Sequence, residues 1–274
     1  MRRFLIVANG TKANSKEYAT LVEDCIKNQG GSFFTQWIKR DTNLEREMKC
    51  MDERGFEAVI VIGGDGTLLH ASRAYKELKI PIVGINIGTI GFLCEIDVEH
   101  IKESIDRLFK DNFIVESRML LFGRVDEGDG DDALNEIAIY RSGHLCVISL
   151  KLYVNGEYLT TYHGDGLVIA TPTGSTGYSM SCGGPIVNPA SKMIVVTPIA
   201  PHSISASRSI VLEDTVDIEI RPVYRHPEDE ILISFDGATT YSLTKPVKIR
   251  KSKEEIQLIR LKKTGFLEIL KEKL

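Results

Sequence analysis

Short apolar runs alternate with helical patterns through the first part of the chain. Strands are predicted at residues 4–8, 32–38, 58–62 and 80–85, and helices at residues 11–29, 67–78 and 98–110. In the first helix, Ala19, Val22 and Ile26 recur at the spacing that places side chains on one helical face. Because strands that alternate with helices usually pair in parallel, this part is predicted to form an open α/β sheet, with ligands beyond the carboxyl ends of its strands.

From residue 113 onward the pattern changes to strands joined by turns. They are predicted at residues 113–125, 133–140, 145–154, 158–162 and 166–171, and again within "DTVDIEIRP", "DEILISFDG" and "KPVKIRKS". Asn155 and Gly156 in "VNGEY" form a dipeptide typical of a tight β-hairpin. We therefore predict an α/β domain over residues 1–112 and a β-rich, β-sandwich-like domain over residues 113–255. Residues 256–274 are a candidate to return to the first domain.

Composition is that of a soluble globular protein. Of the 274 residues, 43% are hydrophobic and 26% charged, and the net charge of -4 gives no basic surface of the kind that binds nucleic acid or an anionic membrane. The cysteines are odd in number and widely scattered, at Cys25, Cys50, Cys94, Cys146 and Cys182. This spacing indicates neither a disulfide framework nor a zinc site and favours a reducing cytoplasm. The apolar run after "MRR" is too short for a signal peptide, and no apolar stretch reaches the roughly 20 residues that span a bilayer.

The segment "VIVIGGDGTLL" places an acidic residue among glycines directly after an apolar strand. Gly63, Gly64 and Gly66 permit close approach to the backbone, and Thr67 is positioned to cap the next helix. Loops of this kind usually bind phosphate through their amides. The carboxylate of Asp65 would repel that phosphate, so its presence suggests that Asp65 takes part in the chemistry. The alternative is a plain strand-to-helix turn capped by Asp65.

A second glycine loop, "GINIGTIGFL", follows the next predicted strand and contains Gly84, Gly88 and Gly91. Loops after parallel strands lie at the same edge of a sheet, so the two loops are predicted to form a crevice. Neither matches the Gly-x-Gly-x-x-Gly pattern of dinucleotide-binding dehydrogenases or the Gly-x-x-x-x-Gly-Lys-Ser/Thr pattern of P-loop proteins.

The segment "GDGLVIATPTGSTGYSMSCGGP", residues 164–185, is rich in hydroxyl groups and glycines. The hydroxyl-bearing residues are Thr171, Thr173, Ser175, Thr176, Ser179 and Ser181. They offer hydrogen bonds to a polyhydroxylated or phosphorylated ligand, and Tyr178 is available to stack on a base. Ser175 lacks the Gly-x-Ser-x-Gly spacing of a serine hydrolase, and the alternative for the whole segment is a flexible polar loop.

Two further polar stretches interrupt the predicted strands. In "ALNEIAIYR", Asn135 and Glu136 point to opposite faces of a strand, so at least one meets solvent or a partner; the alternative is an edge strand with an exposed Glu136. "SFDGA", around Asp236, is a weak turn signal. The acidic "DEGDGDD" lacks the spacing of an EF-hand and is predicted to be a solvated hairpin loop.

As an ordered set, these segments resemble the NAD kinase family across nearly the whole chain. The set is "GGDGT", "GINIGTIGF", "LNE", "GDGLVIATPTGSTGYSMSCGGPIV", "TPIAPHSISASRSIVL", "SFDG" and "GFLEILKEKL". "GGDGT" alone is also similar to the motif of diacylglycerol and sphingosine kinases. The resemblance implies an α/β domain, a β-rich domain, an active site in the cleft between them, and a homodimer or homotetramer. It also implies phosphorylation of the adenosine ribose 2'-hydroxyl of NAD, with ATP or polyphosphate as donor and a divalent metal, Mg²⁺, as cofactor.

Individual roles follow from positions in the family's motifs. Asp65 is implied as the base that accepts the hydroxyl proton, and the glycines beside it as the place where ATP approaches. Asn135 and Glu136 are implied to grip NAD. The other implied binding positions are Phe92, Asp165, Thr176, Gly177, Tyr178, Ser179, Met180, Ser181, Ala200 and Asp236. His70 and Arg73 are candidates to face phosphate, with exposed helix positions as the alternative.

Three positions depart from the family pattern. Gly177 stands where alanine is common, His163 where arginine is frequent, and Cys146 where a polar residue such as histidine often occurs. Gly177 is expected to be tolerated because it only removes a methyl group. His163 loses a permanent charge, which is expected to weaken contact with the dinucleotide phosphates or to change the discrimination between NAD and NADH.

Two rival functions are weighed against NAD kinase. A lipid kinase of the same superfamily needs an apolar channel or a membrane-facing patch, and the polar residues 164–181 suit a dinucleotide better. A non-catalytic NAD(P) sensor would keep the cleft without turnover, and the intact "GGDGT" argues against it.

Overall fold

The computed structural model describes residues 2–39, 55–88, 91–128, 130–143, 147–202, 207–224, 230–261 and 266–273. The chain divides into two compact units, unit 1 (Met1–Ser117 with Ile256–Leu274) and unit 2 (Arg118–Glu255). The helices are α1 (Ser15–Asn28), α2 (Asp65–Ala74), α3 (Ile101–Phe109), α4 (Tyr178–Ser181) and α5 (Phe266–Lys273). Within the described residues, none of these helices has the length and apolar character to cross a membrane.

The strands follow the chain from both units. The first are β1 (Arg3–Asn9), β2 (Ser32–Ile38), β3 (Ala58–Gly63), β4 (Ile82–Asn86) and β5 (Ile96–Asp97). The next are β6 (Ile114–Val125), β7 (Gly130–Ala133), β8 (Glu136–Arg141), β9 (Ile148–Val154), β10 (Glu157–Gly164) and β11 (Gly166–Ala170). The last are β12 (Met193–Ile199), β13 (Ile210–Glu213), β14 (Ile218–Val223), β15 (Ile231–Phe235), β16 (Thr239–Ser242) and β17 (Val247–Arg260).

Unit 1 contains the predicted parallel sheet. β1 pairs with β2 and β3, and β4 pairs with β3, β5 and the end of β17, all in parallel. Alternate residues point to opposite faces: Val83 and Ile85 join the apolar cluster with α1 and α3, whereas Gly84 between them faces Leu68 of α2. Helices therefore cover both faces, which explains why every residue of β3 is buried.

Unit 2 is built from two antiparallel layers. One sheet has the strand order β13, β12, β11, β8, β15, β16; the other layer contains β10, β9, β14 and the first part of β17. Ile137 and Ile169 of the first sheet share a buried cluster with Leu150 and Ile220 of the second. The β-rich, sandwich-like class predicted from the alternating strands is therefore confirmed.

Several predicted elements match the structure closely. β2 has the bounds predicted from the sequence. Asn155 and Gly156 adopt φ angles of 50° and 84° between β9 and β10, as the hairpin signal requires. The acidic segment after Val125 matches only in part: Asp126, Glu127 and Gly128 are exposed, as predicted for a solvated loop, whereas Gly130, Asp131 and Asp132 belong to β7 and Asp132 is buried.

Three element predictions differ from the structure in their bounds or continuity. The strand predicted at residues 133–140 is broken between Ala133 and Glu136. The alternative of an edge strand also fails, because β8 lies between β11 and β15. The helix predicted from Thr67 begins at Asp65 with Gly64 as its N-cap residue; Thr67 is the third residue of α2, and its hydroxyl caps the helix start by accepting the Gly64 amide at 3.5 Å. "KPVKIRKS" is the start of a single strand that continues to Arg260.

Candidate active site

The carboxylate of Asp65 joins the two glycine loops of unit 1. Asp65 is the first residue of α2, and its Oδ2 accepts a hydrogen bond from the amide of Phe92 at 2.6 Å. Its Oδ1 accepts the amides of Leu93 and Cys94 at 3.2 and 3.1 Å. The sequence placed Asp65 either in the reaction or at a helix cap. The cap is not observed, because Gly64 is the N-cap residue; instead the Asp65 carboxylate fixes the backbone of the second loop.

A glycine makes this contact possible. A methyl group on Gly91 would stand 1.8 Å from Oδ1 of Asp65, so only glycine lets the carboxylate reach the three amides. The Cys94 thiol also makes a hydrogen bond with Asp65. Burial, followed by the charge of Asp65 and this hydrogen bond, raises the pKa of the Cys94 thiol well above its usual range.

The rest of the first loop is tied to the end of β1. Thr67 is buried, and its hydroxyl accepts a hydrogen bond from the side-chain amide of Asn9 at 3.0 Å. Gly63 is the buried last residue of β3, Gly64 is partly buried and Gly66 is exposed. His70 and Arg73 are partly buried on α2, and Arg73 lies in its last turn. At a rise of about 1.5 Å per residue, the backbone of Arg73 is roughly 12 Å along the helix axis from that of Asp65.

In unit 2, Asp236 makes a second contact of the same kind. Its Oδ2 accepts the amide of Leu134 at 2.8 Å, and its Oδ1 accepts the amides of Asn135 and Glu136 at 2.8 and 3.0 Å. Asp236 has a φ of 50°, in the left-handed region, in the turn after β15. The break between β7 and β8 is therefore stabilised by a carboxylate about a hundred residues further along the chain.

The segment held by Asp236 presents polar atoms that need a partner. Asn135 Oδ1, Glu136 Oε2 and Thr173 Oγ1 are buried and have no hydrogen-bond partner among the described residues. Burial, and then the charge of Asp236, raise the pKa of Glu136 to about 7, although a hydrogen bond from the Tyr178 backbone opposes this. Because buried polar atoms are usually paired, these groups mark the strongest candidate ligand site of unit 2.

The hydroxyl-rich segment folds over this pair. A methyl group on Gly174 would lie 2.0 Å from the carbonyl oxygen of Asn135, and one on Gly177 would lie 3.1 Å from Glu136 Oε2. The Thr171 hydroxyl donates to the carbonyl of Leu134 at 2.6 Å. The segment thus packs closely on residues 134–136 and is not the flexible loop of the alternative interpretation.

Several of its hydroxyl groups are used internally instead of facing a ligand. Ser175 Oγ donates to the carbonyl of Pro172, Thr176 Oγ1 donates to that of Thr173, and Ser179 Oγ pairs with Thr197 Oγ1 at 2.9 Å. Ser179 is 0% exposed. Exposed side chains remain on α4 at Tyr178, Met180 and Ser181, and the 42% exposure of Tyr178 leaves its ring accessible for stacking.

The remaining predicted residues of unit 2 occupy defined positions. Asp165 is held by Arg141, whose Nε donates to its Oδ1 at 2.9 Å. His163 Nδ1 and Ser149 Oγ are 2.8 Å apart. Ala200 is exposed, with a φ of 42°, directly after β12. Cys146 lies outside the described residues.

Three residues that no sequence motif indicated lie beside these groups. Arg141 pairs with Asp165, Ser149 pairs with His163, and the ammonium group of Lys12 lies close to Gly64 and Gly88. Arg141 and Ser149 belong to ordinary strand patterns. Lys12 follows β1, whose carboxyl end was predicted to lie at the edge of the sheet where ligands bind. The position of Lys12 directly after this strand could therefore have identified it as a candidate.

Known proteins match both halves of the chain. The family model of the ATP-NAD kinase N-terminal domain matches residues 4–113, and that of the C-terminal domain matches residues 134–261. The chain is 38% identical over 285 residues to an NAD kinase of Lachnoclostridium phytofermentans and 37% identical over 280 residues to one of Agathobacter rectalis. Each alignment covers 100% of this chain and 99% of the relative.

Solved structures share the fold. An NAD kinase from Archaeoglobus fulgidus in complex with ATP has a TM-score of 0.79 and 24% identity, covering 99% of this chain and 98% of that one. A yeast NADH kinase complexed with NADH has a TM-score of 0.79 and 21% identity, covering 99% and 87%.

Proposed function

The chain belongs to the ATP-NAD kinase family, and from this premise we propose that it is an NAD kinase. It transfers a phosphoryl group from ATP to the 2'-hydroxyl of the adenosine ribose of NAD, giving NADP. The observation that carries the proposal beyond the family is the fixed position of Asp65 at the carboxyl edge of a parallel sheet, where it joins two glycine loops. In open α/β sheets this edge is where ligands bind.

In this proposal Asp65 orients the attacking hydroxyl and accepts its proton. Phosphoryl transfer passes through a loose transition state, so the base contributes less than positioning and charge neutralisation. A carboxylate held by three amides cannot turn away from the substrate without releasing residues 92–94. That rigidity supports a positioning role as much as a basic one.

NAD is assigned to the polar atoms of unit 2 that lack partners. Asn135 and Glu136 supply a side-chain amide and a carboxyl group, which suit the hydroxyl groups of a ribose, and Tyr178 supplies a ring for a base. Because Glu136 has a pKa of about 7, it is available either as a donor or as an acceptor at neutral pH. Ala200, which is exposed directly after β12, is assigned as a further contact for the dinucleotide.

The proposal includes Mg²⁺ as the divalent metal. Among the described residues, no group of three or more His, Cys, Asp or Glu is arranged to hold an ion. The chain therefore suits an ion that arrives on the phosphates of ATP, with Asp65 as the carboxylate at the loop edge, since Mg²⁺ keeps water and phosphate ligands. When bound, such an ion offsets the negative charge of the phosphates. A cytoplasmic location and a homodimer or homotetramer complete the proposal, on the strength of the family resemblance.

The first experiment measures NADP formation by the purified chain with Mg²⁺, ATP and NAD, using an NADP-specific dehydrogenase. Wild type is expected to turn over, and Asp65→Asn is expected to lose several orders of magnitude in kcat while NAD binding, followed by thermal shift, stays close to wild type. Unchanged turnover in Asp65→Asn would refute the assignment of Asp65 as the base.

Two other results would redirect the proposal. Wild-type protein that binds NAD but forms no NADP would be a sensor, and protein that neither binds NAD nor turns it over would have to be tested on lipid substrates. Gly91→Ala serves as the matched variant for Asp65→Asn, because it disturbs the same amide contacts and keeps the carboxylate. If Asp65 acts only through the loop, the two variants will lower kcat equally; if it also accepts the proton, Asp65→Asn will fall further.

A further inference from the structure

Lys12 places a positive charge between the two glycine loops of unit 1. A methyl group on Gly64 would stand 3.1 Å from its ammonium nitrogen, and one on Gly88 would stand 2.7 Å from it. Gly64 precedes α2 and Gly88 follows β4, so the ammonium group lies close to the backbone on both sides. A side chain at either glycine would crowd the position that the ammonium occupies.

The ammonium of Lys12 has no acidic partner in the described part of the chain. Lys12 is partly buried, yet no described carboxylate lies within 4 Å of its nitrogen, in contrast to the ion pair of Arg260 with Glu95 in the same unit. Asp65, the carboxylate at this edge, directs its oxygens to the amides of residues 92–94 instead. A charged group taken partly out of water is costly unless a counter-charge meets it, so this position suits an anion.

The turn that carries Lys12 is fixed by hydrogen bonds. Asn9 Oδ1 accepts the amide and the hydroxyl of Thr11 at 3.0 and 2.7 Å, and the amide of Lys12 donates to the carbonyl of Asn9 at 3.2 Å. The Asn9 side chain also donates to Thr67 on α2. The root of the lysine is therefore held against the first glycine loop, and only its flexible stem has to adjust to a ligand.

We propose that Lys12 binds the phosphate groups of the nucleoside triphosphate donor, an inference that rests on the proposed function. An ammonium group is a compact positive charge with three donors, which suits phosphate oxygens that gain charge during transfer. Gly64 and Gly88 let this ammonium group lie close to the backbone of both loops. The unpaired polar atoms assigned to NAD belong to residues 135, 136 and 173 of unit 2, so Lys12 is assigned to the donor and not to the dinucleotide.

The test compares Lys12→Met, Lys12→Arg and Lys16→Met in steady-state kinetics with the full chain. Methionine keeps the length of the stem and removes the charge, and Lys16 is an exposed lysine on α1 that serves as the control. Loss of a hydrogen bond to a charged group corresponds to about 10- to 100-fold. Lys12→Met is therefore expected to raise the KM for ATP by that factor, with less than a twofold change in the KM for NAD. Lys12→Arg is expected to recover part of the loss, and Lys16→Met to match wild type.

Three results would overturn the proposal. They are an unchanged KM for ATP in Lys12→Met, a rise confined to the KM for NAD, and a fall in Tm of Lys12→Met that accounts for its lost activity. If wild type forms no NADP, the proposed function fails separately, and calorimetric titration with Mg-ATP then decides on Lys12. Weaker binding to Lys12→Met than to wild type would support the assignment; equal binding, or none to wild type, would refute it.

Discussion

Replacing Asp236 by asparagine tests whether its carboxylate holds residues 134–136 in place. The substitution keeps the size of the side chain and leaves one acceptor oxygen where the carboxylate offers two, which together accept three amides at 2.8 to 3.0 Å. Asparagine also tolerates the φ of 50° at this position, so backbone strain does not confuse the result.

The magnitude follows from the hydrogen bonds that change. If the side-chain oxygen of asparagine takes the position of Oδ1, it still accepts hydrogen bonds from the amides of Asn135 and Glu136. The side-chain NH₂ group then faces the amide of Leu134, and because both groups are donors no hydrogen bond forms. The lost bond to a charged acceptor costs about 1.5 to 3 kcal/mol, and the two weakened bonds cost about 0.5 kcal/mol each. The expected loss of about 2.5 to 4 kcal/mol corresponds to a fall in Tm of roughly 5 to 15 °C for a chain of this size.

The assay is urea and thermal unfolding followed by circular dichroism at pH 6. At this pH Glu136, with a pKa of about 7, is mostly protonated and is not repelled by Asp236. Removing the charge of Asp236 therefore relieves no repulsion that would hide the loss of its hydrogen bonds. Asp217→Asn is the matched control, because Asp217 is exposed in the same unit, and its effect is expected to stay within about 0.5 kcal/mol. An Asp236→Asn variant as stable as Asp217→Asn would refute the reasoning.

Two further predictions concern Glu136 and Gly91. The raised pKa of Glu136 gives stability that is fully present below its ordinary value of 4.5 and is lost as the pH rises through about 7. Glu136→Gln is therefore expected to flatten this dependence by on the order of 3 kcal/mol in urea unfolding between pH 4.5 and 8, and an unchanged slope would contradict the burial of this carboxyl. Gly91→Ala is expected to lower the free energy of unfolding by about 1 to 3 kcal/mol. Gly66→Ala is the control, because a methyl group there has no heavy atom within 4 Å, and it is expected to raise the free energy of unfolding by up to about 1 kcal/mol. A Gly91→Ala variant as stable as wild type would show that the Asp65 contact is not rigid.

Patterns within a few residues predicted much of the fold. The apolar runs of β1 to β4 and the Asn155-Gly156 turn depend on local spacing and turn chemistry, and the structure confirms them. The first part of β17 was predicted as a strand, but its continuation to Arg260 was missed because its middle, "KSKEE", is charged and mostly exposed. Local pattern thus identified the elements better than their lengths.

Contacts distant in sequence account for the larger errors at the site. The pattern of "ALNEIAIYR" predicts one strand, because no residue within it indicates that the amides of Leu134 and Asn135 donate to Asp236. The glycines of the second loop were interpreted as access for a ligand, whereas Gly91 first admits the carboxylate of Asp65. Only the glycines indicated that a close approach occurs, and in both places the group that makes the contact comes from another part of the chain.

Asp65 and Asp236 solve the same physical problem, one in each unit. Where a chain leaves regular structure it exposes successive amides that need acceptors, and a single carboxylate satisfies three of them in residues 92–94 and in residues 134–136. The carboxylate and the segment it holds then move together or not at all. Such a link fixes the site before substrate arrives, and phosphoryl transfer depends mainly on positioning and charge. An acidic residue among glycines is therefore compatible with phosphate binding, because its charge is directed to the protein's own amides.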